Sequence, residues 1–296
     1  GEFYFYWSTY SLRSGIRYES GSDLRLKEEN LNYLIDLDGV IYRGEQVIEG
    51  AVETLAWLRL QRAEISFLTN NSAFSRRNYL ERLSLLGIKC QLEEIMSTAY
   101  ATRLYLEEKG PPGARVLVIG EWGLMVELEG AQVSLVDWQN EGLIDYVVVG
   151  LDRNFHYSKL TRAHHAIIQG AKFIATNRDA TFPTEKGTLP GGGAIVAAIE
   201  ACTGKTPVVI GKPQDYMVKK VLETRNWKPE ETVVVGDRLE TDILLGNQLG
   251  MITALVLTGI TNRETAEKAV HDLKPTYILD SIQNLKELSF KKDGSI

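Results

Sequence analysis

From residue 32 onward, short unbroken apolar runs alternate with longer segments in which apolar residues recur every three or four positions. The stretches at 33–38 and 64–69 read as strands, with Tyr33, Leu34 and Ile35 the buried part of the first. The segments 51–62, 75–86 and 97–109 read as amphipathic helices, the second stopped by Gly87. Gly110-Pro111-Pro112-Gly113 then breaks the third helix and marks a domain boundary. A fresh series follows, with strands at 115–120, 145–150 and 172–176 and helices at 123–129, 158–169 and 193–202. After Gly204-Lys205-Thr206 the first unit is expected to resume, with short apolar strands at 207–210, 232–236, 252–257 and 277–279. This order predicts an α/β protein with a parallel sheet covered on both faces. Its core comprises 31–110 and 206–296, interrupted by an inserted α/β unit at 111–205.

The first thirty residues break the pattern. Phe3, Tyr4, Phe5, Tyr6, Trp7 and Tyr10 crowd the start, and a polar stretch follows. Without a charged n-region or an aliphatic core, this is not a signal peptide. It reads as an appended leader or extension, with an added edge strand or a sticky contact surface as the alternative.

A length of 296 residues fits two domains. The net charge of −6 speaks against a nucleic-acid partner, which would require a basic face. No apolar run approaches the ~20 residues of a membrane span. Cys90 and Cys202 stand far apart, with no metal-ligand spacing, as expected of thiols in a reducing compartment. The cytoplasm is the expected location.

The chemistry concentrates at Asp36-Leu37-Asp38-Gly39-Val40. Residues two apart in extended backbone point the same way, so Asp36 and Asp38 share a face as the strand ends. Two such charges ~5 Å apart repel by roughly 3 kcal/mol at an effective dielectric near 20, and a fold keeps them only with a cation or a shared proton. A calcium loop fails, since Ile41 and Val47 occupy the positions that need Gly and Glu. Ligands in open parallel sheets bind beyond the carboxyl ends of strands. Other predicted strands end there in Thr69-Asn70-Asn71, Gly211-Lys212-Pro213 and Gly236-Asp237-Arg238, with Asp242 five residues past Asp237. Carboxylates, a hydroxyl, an amide and an ammonium suit phosphoryl transfer. Oxygen ligands favour Mg2+, and the lysine and hydroxyl can hold phosphate oxygens. One aspartate can attack phosphorus while another moves the proton.

Competing motifs fail. Gly204-Lys205-Thr206 lacks the leading glycine of a P-loop, Ile199 standing in its place, and Val196 breaks Gly-x-Gly-x-x-Gly after Gly191. No Gly-x-Ser-x-Gly elbow is present. His164 and His165 lack a partnered metal motif.

Four motifs in this order, Asp36-Leu37-Asp38-Gly39-Val40, Leu68-Thr69-Asn70-Asn71, Gly211-Lys212-Pro213 and Gly236-Asp237-Arg238-Leu239-Glu240-Thr241-Asp242, resemble those of the haloacid dehalogenase superfamily. The similarity is to its type IIA-capped phosphatases, the 4-nitrophenyl phosphatase-like, NagD-like and phosphoglycolate phosphatase-like enzymes. It covers the chain from Asn32 onward. The resemblance implies a Rossmannoid core with an inserted α/β cap of type IIA at 111–205. It implies Asp36 as nucleophile and Asp38 as general acid and base, the latter separating phosphatases from dehalogenases. Thr69, Asn70 and Lys212 would grip the phosphate. Asp36, the Asp38 carbonyl and Asp237 would bind Mg2+, with Asp242 a ligand through water or an anchor behind it. The stretch from Thr176-Asn177-Arg178-Asp179 to Pro190-Gly191-Gly192-Gly193 matches the cap loop that faces the active site.

Tyr42, Arg43 and the 177–193 loop, Asn177 and Arg178 in particular, are the expected substrate readers, Arg178 for an anionic group beyond the phosphate. The implied activity is Mg-dependent hydrolysis of small phosphate monoesters through an aspartyl-phosphate. Phosphoglycolate, sugar phosphates, nucleoside monophosphates and pyridoxal phosphate are the candidate substrates. A phosphotransferase or a non-catalytic phosphometabolite-binding protein is the alternative. A homodimer through the cap fits this branch.

Overall fold

The computed structural model describes residues 31–184 and 187–289; the expected leader over 1–30 lies outside them. The chain enters on β1 (Asn32–Asp36), turns sharply, and forms a small antiparallel hairpin of β2 (Tyr42–Arg43) and β3 (Gln46–Val47). Helix α1 (Ala51–Leu60) leads to β4 (Ile65–Thr69), and α2 (Arg76–Leu85) to β5 (Ile95–Ser97). Ser75 starts α2 with a reciprocal cap: its hydroxyl accepts from Asn78 N at 3.3 Å, and Asn78 Oδ1 accepts from Ser75 N at 3.1 Å. Helix α3 (Thr98–Lys109) then leaves the first sheet.

The second unit contains β6 (Ala114–Ile119), α4 (Trp122–Glu129), β7 (Val133–Val136), β8 (Tyr146–Val149), α5 (Tyr157–Ile168) and β9 (Lys172–Ala175). A ribbon of β10 (Thr181–Thr184) and β11 (Gly187–Pro190) precedes α6 (Gly192–Thr203) and β12 (Val208–Val209). The chain then returns through α7 (Tyr216–Arg225), β13 (Thr232–Gly236), α8 (Leu244–Gln248), β14 (Ile252–Val256), α9 (Arg263–Glu267), β15 (Tyr277–Leu279) and α10 (Leu285–Ser289).

Two parallel sheets result. The first has the order β15-β14-β13-β1-β4-β5 and the second β12-β9-β8-β6-β7. This is an α/β Rossmannoid core with an inserted α/β cap. In the core sheet, β4 and β5 build outward on one side of β1, and β13 to β15 on the other. The crevice between β1 and β13 is therefore the topological switch point, where such sheets bind ligands.

One strand sits elsewhere than expected. The sequence places residues 207–210 in the core, but β12 pairs with β9 at the edge of the second sheet, Val208 opposite Ile174. An apolar run specifies a strand without specifying its neighbour. The consequence is functional, since Lys212 enters the crevice directly from the cap sheet. Strand β7, with only Val136 buried, and the exposed strand β11 offer no apolar run to detect. An apolar cluster joins the two units, running from Leu34 and Leu68 of the core to Val116, Leu124 and Val148 of the cap.

Candidate active site

The crevice gathers residues from four strand ends. Asp36 is the last residue of β1, and Asp38 follows in a turn that Gly39 permits with φ of 85°. A side chain at Gly39 would also strike Asp237, its Cβ lying 2.5 Å from Asp237 Oδ2. Asp237 stands just beyond β13. Asp242 follows on a π-helical turn (Leu239–Ile243) of the kind that often re-aims side chains at functional sites.

Lys212 is buried between two of these acids. Its Nζ donates to Asp36 Oδ1 at 2.6 Å and to Asp242 Oδ1 at 2.7 Å. Its backbone is bracketed by Asn70, whose Oδ1 accepts from Lys212 N at 2.9 Å and whose Nδ2 donates to Lys212 O at 3.0 Å. The same Nδ2 reaches Asp179 of the cap at 3.2 Å. The Asn70 side chain is thus occupied in holding Lys212 and the cap loop. Asp242 Oδ2 accepts from Thr241 Oγ1 at 3.2 Å and from Arg238 N at 3.3 Å.

Asp36, Asp38, Thr69, Asn70, Lys212, Asp237 and Asp242 all line one cleft, as does Asn177. Asn177 is buried, and its Nδ2 donates to Asn70 O at 2.6 Å. The other expected substrate readers stand apart. Tyr42 is fully buried beneath the guanidinium of Arg82, whose Cζ lies 3.9 Å from the ring centroid. Arg43 donates to Thr258 O. Arg178 forms a two-pronged ion pair with Glu200 of α6 at 2.5 and 2.9 Å, outside the cleft lining. Replacing Arg178 by alanine is expected to change KM less than about twofold for every phosphate ester turned over, since its guanidinium is held by Glu200 in a partly exposed pair outside the cleft lining. A selective rise in KM for dianionic esters would overturn this.

The sequence reading held Asp179 and Phe182 within the 177–193 loop and Arg238 within a motif without giving any of them a role of its own, and it missed Leu151 of the cap wall and the loop that fixes Asp237. In that loop Ile260 N donates to Asp237 Oδ2 at 2.8 Å and Thr261 N to Asp237 O at 3.1 Å. A Cβ on Gly259 would overlap Asp237 Oδ2. The one signal was a Thr-Gly pair just past an apolar strand. Gly259→Ala should push the Asp237 carboxylate out of place and weaken divalent-cation binding at least about tenfold, read by calorimetric titration. Unchanged affinity would refute this steric role.

Among the described residues, five carboxylates line the cleft together with two cations, Lys212 and Arg238. Burial pushes Asp36 well above the usual carboxylate range despite the pull of Lys212. Burial, with Asp242 beside it, pushes Asp237 up to about 7. Asp38 is raised by burial against the opposing pull of Arg82, Lys212 and Arg238. Burial alone would lower Lys212, but Asp242 and Asp36 hold it above its ordinary value. Carboxylate oxygens of Asp36, Asp237 and Asp242 lie within 4.8 Å of one another. An all-oxygen donor set with surplus negative charge can hold a hard divalent cation.

Comparison with known proteins agrees with this geometry. A family model of haloacid dehalogenase-like hydrolases matches residues 33–134, and a second, HAD-hydrolase-like model matches 209–285. An acid sugar phosphatase of Staphylococcus saprophyticus is 38% identical over 257 residues, covering 86% of this chain and 97% of that protein. The chain belongs to the haloacid dehalogenase-like hydrolases. A p-nitrophenyl phosphatase from Archaeoglobus fulgidus superposes with a TM-score of 0.81 at 36% identity, over 88% of this chain and 99% of that one. A glycerol phosphate phosphatase from Mycobacterium tuberculosis in complex with magnesium gives 0.80 at 36% identity, over 87% and 76%. NagD from E. coli gives 0.76 at 30% identity, over 86% and 97%. This haloacid dehalogenase-like hydrolase is a metal-binding phosphatase of the type IIA-capped branch. Among its described residues, no helix is long and apolar enough to cross a membrane.

Proposed function

We propose that this phosphatase hydrolyses phosphate monoesters of small metabolites, sugar and polyol phosphates foremost, through an aspartyl-phosphate and with Mg2+. The observation that carries the reading is the buried Lys212 ammonium, 2.6 Å from Asp36 Oδ1, in a cleft that Asp38, Thr69 and Asp237 also line. Asp36 attacks phosphorus, and the bond from phosphorus to the ester oxygen breaks. Asp38, whose burial favours its protonated form, gives its proton to the departing alkoxide. It then takes a proton from the water that attacks the acyl phosphate, which frees Asp36 and inorganic phosphate. Lys212 and Thr69 hold the phosphate oxygens, and Asn70 serves them by fixing Lys212. Asp36, the Asp38 carbonyl and Asp237 would hold Mg2+, with Asp242 directly or through water. Bound there, the ion offsets negative charge on the phosphate oxygens.

The cap, taken as 111–205, supplies the wall that meets the leaving group. Leu151 and Phe182 offer apolar surface and Asp179 a hydrogen-bond acceptor, with no cap cation among the described residues of the lining. That inventory favours neutral, hydroxyl-bearing leaving groups. The names of the sugar and glycerol phosphate phosphatase relatives support the same choice. The test is a panel of phosphomonoesters, including 4-nitrophenyl phosphate, assayed with Mg2+ and with chelator. Free phosphate should appear in step with the alcohol. Phosphate passed to another alcohol would indicate a transferase, and binding without turnover a sensor.

A further inference from the structure

We infer that Arg82 of α2, seated on the Tyr42 ring, positions Asp38 for proton transfer by clamping the loop that carries it. The inference rests on the reading of Asp38 as acid and base. After β1 the chain doubles back: Ile41 N and Tyr42 N donate to Leu37 O at 2.9 and 3.3 Å, and Gly39 N donates to Tyr42 O at 2.8 Å. Asp38 and Tyr42 also form an isolated bridge. The place of Tyr42 therefore fixes the place of Asp38.

The Tyr42 hydroxyl does not anchor the ring, being buried without a hydrogen-bond partner among the described residues. The guanidinium does so from outside. Its Cζ stacks 3.9 Å from the ring centroid, and its Nη2 donates to Gly44 O at the far end of the loop. Three residues earlier on the same helix face, buried Tyr79 donates to Asn71 O at 2.8 Å. One face of α2 thus fixes both the Asp38 loop and the turn that follows Thr69. A planar fork that stacks and donates at once is specific to arginine, and lysine cannot reproduce it.

A clamp of this kind and simple packing of the hairpin predict different kinetics. Proton donation matters greatly when an alkoxide leaves and little when 4-nitrophenolate leaves. The quantity kcat/KM reports the step in which the ester bond breaks. Wild type, Arg82→Met and Arg82→Lys are therefore compared on 4-nitrophenyl phosphate and on the alkyl phosphate that wild type turns over fastest. Arg82→Met should lose at least about tenfold more kcat/KM on the alkyl ester than on the nitrophenyl ester, with Arg82→Lys between it and wild type. Equal losses on both esters, or none, would overturn the clamp. Thermal unfolding reports whether Arg82→Met folds; if it does not, the Arg82→Lys ratio alone decides, equal losses again overturning the proposal. A wild type inactive on every ester would overturn the hydrolase reading and the clamp with it. Activity with an unshifted ratio overturns the clamp alone.

Discussion

Asparagine in place of Asp36 should leave a folded protein whose turnover is lower by about 10⁴-fold or more, the scale on which removing a nucleophile acts. The amide has the shape of the carboxylate and can still accept from Lys212 Nζ, so the 2.6 Å contact has a substitute. It cannot form an acyl phosphate. Folding should suffer little, because burial already disfavours the charged form of Asp36. Two measurements check this: steady-state phosphate release, and rapid-quench trapping of phosphorylated protein, present in wild type and absent from the variant. Persistent turnover would move the nucleophile to another residue.

Withdrawing the divalent cation should have the second largest effect, abolishing turnover in chelator with recovery on adding Mg2+. The pH dependence of metal binding gives this its sharper form. Asp237 is pushed up to about 7, so below that pH a proton competes for the carboxylate the metal requires. Apparent Mg2+ affinity should rise by about tenfold per pH unit up to about 7 and flatten above it. Stability follows with the opposite sign in metal-free protein. A carboxyl with a raised folded pKa contributes stability below its unfolded value, near 3.8, and that contribution is lost as pH rises through about 7. The rise in Tm on adding Mg2+ should therefore be larger at pH 8 than at pH 6, as scanning calorimetry would show. Asp237→Asn should lose both the pH slope and the metal response. An equal Mg2+ effect at the two pH values would refute the assignment.

The fold was legible wherever burial leaves a mark on composition. Strands β1, β4 and β13 lie inside a sheet covered on both faces, so nearly every residue in them is buried and their middles are mostly apolar. Partly exposed β7 and the exposed strand β11 carry no such mark. The motif residues could be named because each follows an apolar strand. Tyr42 and Arg178 misled for a related reason. Side-chain chemistry alone does not reveal that Tyr42 lies beneath Arg82, or that Glu200, on α6, claims Arg178.

By itself, the sequence determined the two interleaved α/β units and the residue types at the strand ends, because local periodicity and strand-end chemistry are written along the chain. Only the tertiary structure decided that β12 belongs to the cap sheet and delivers Lys212 between Asp36 and Asp242. Only it showed Asn70 spent on Lys212 and Asp179, and Gly259 leaving room for Asp237. These are contacts between residues far apart in the chain. They follow from how sheets and loops pack in space, and no local run of sequence encodes which distant group will fill a given gap.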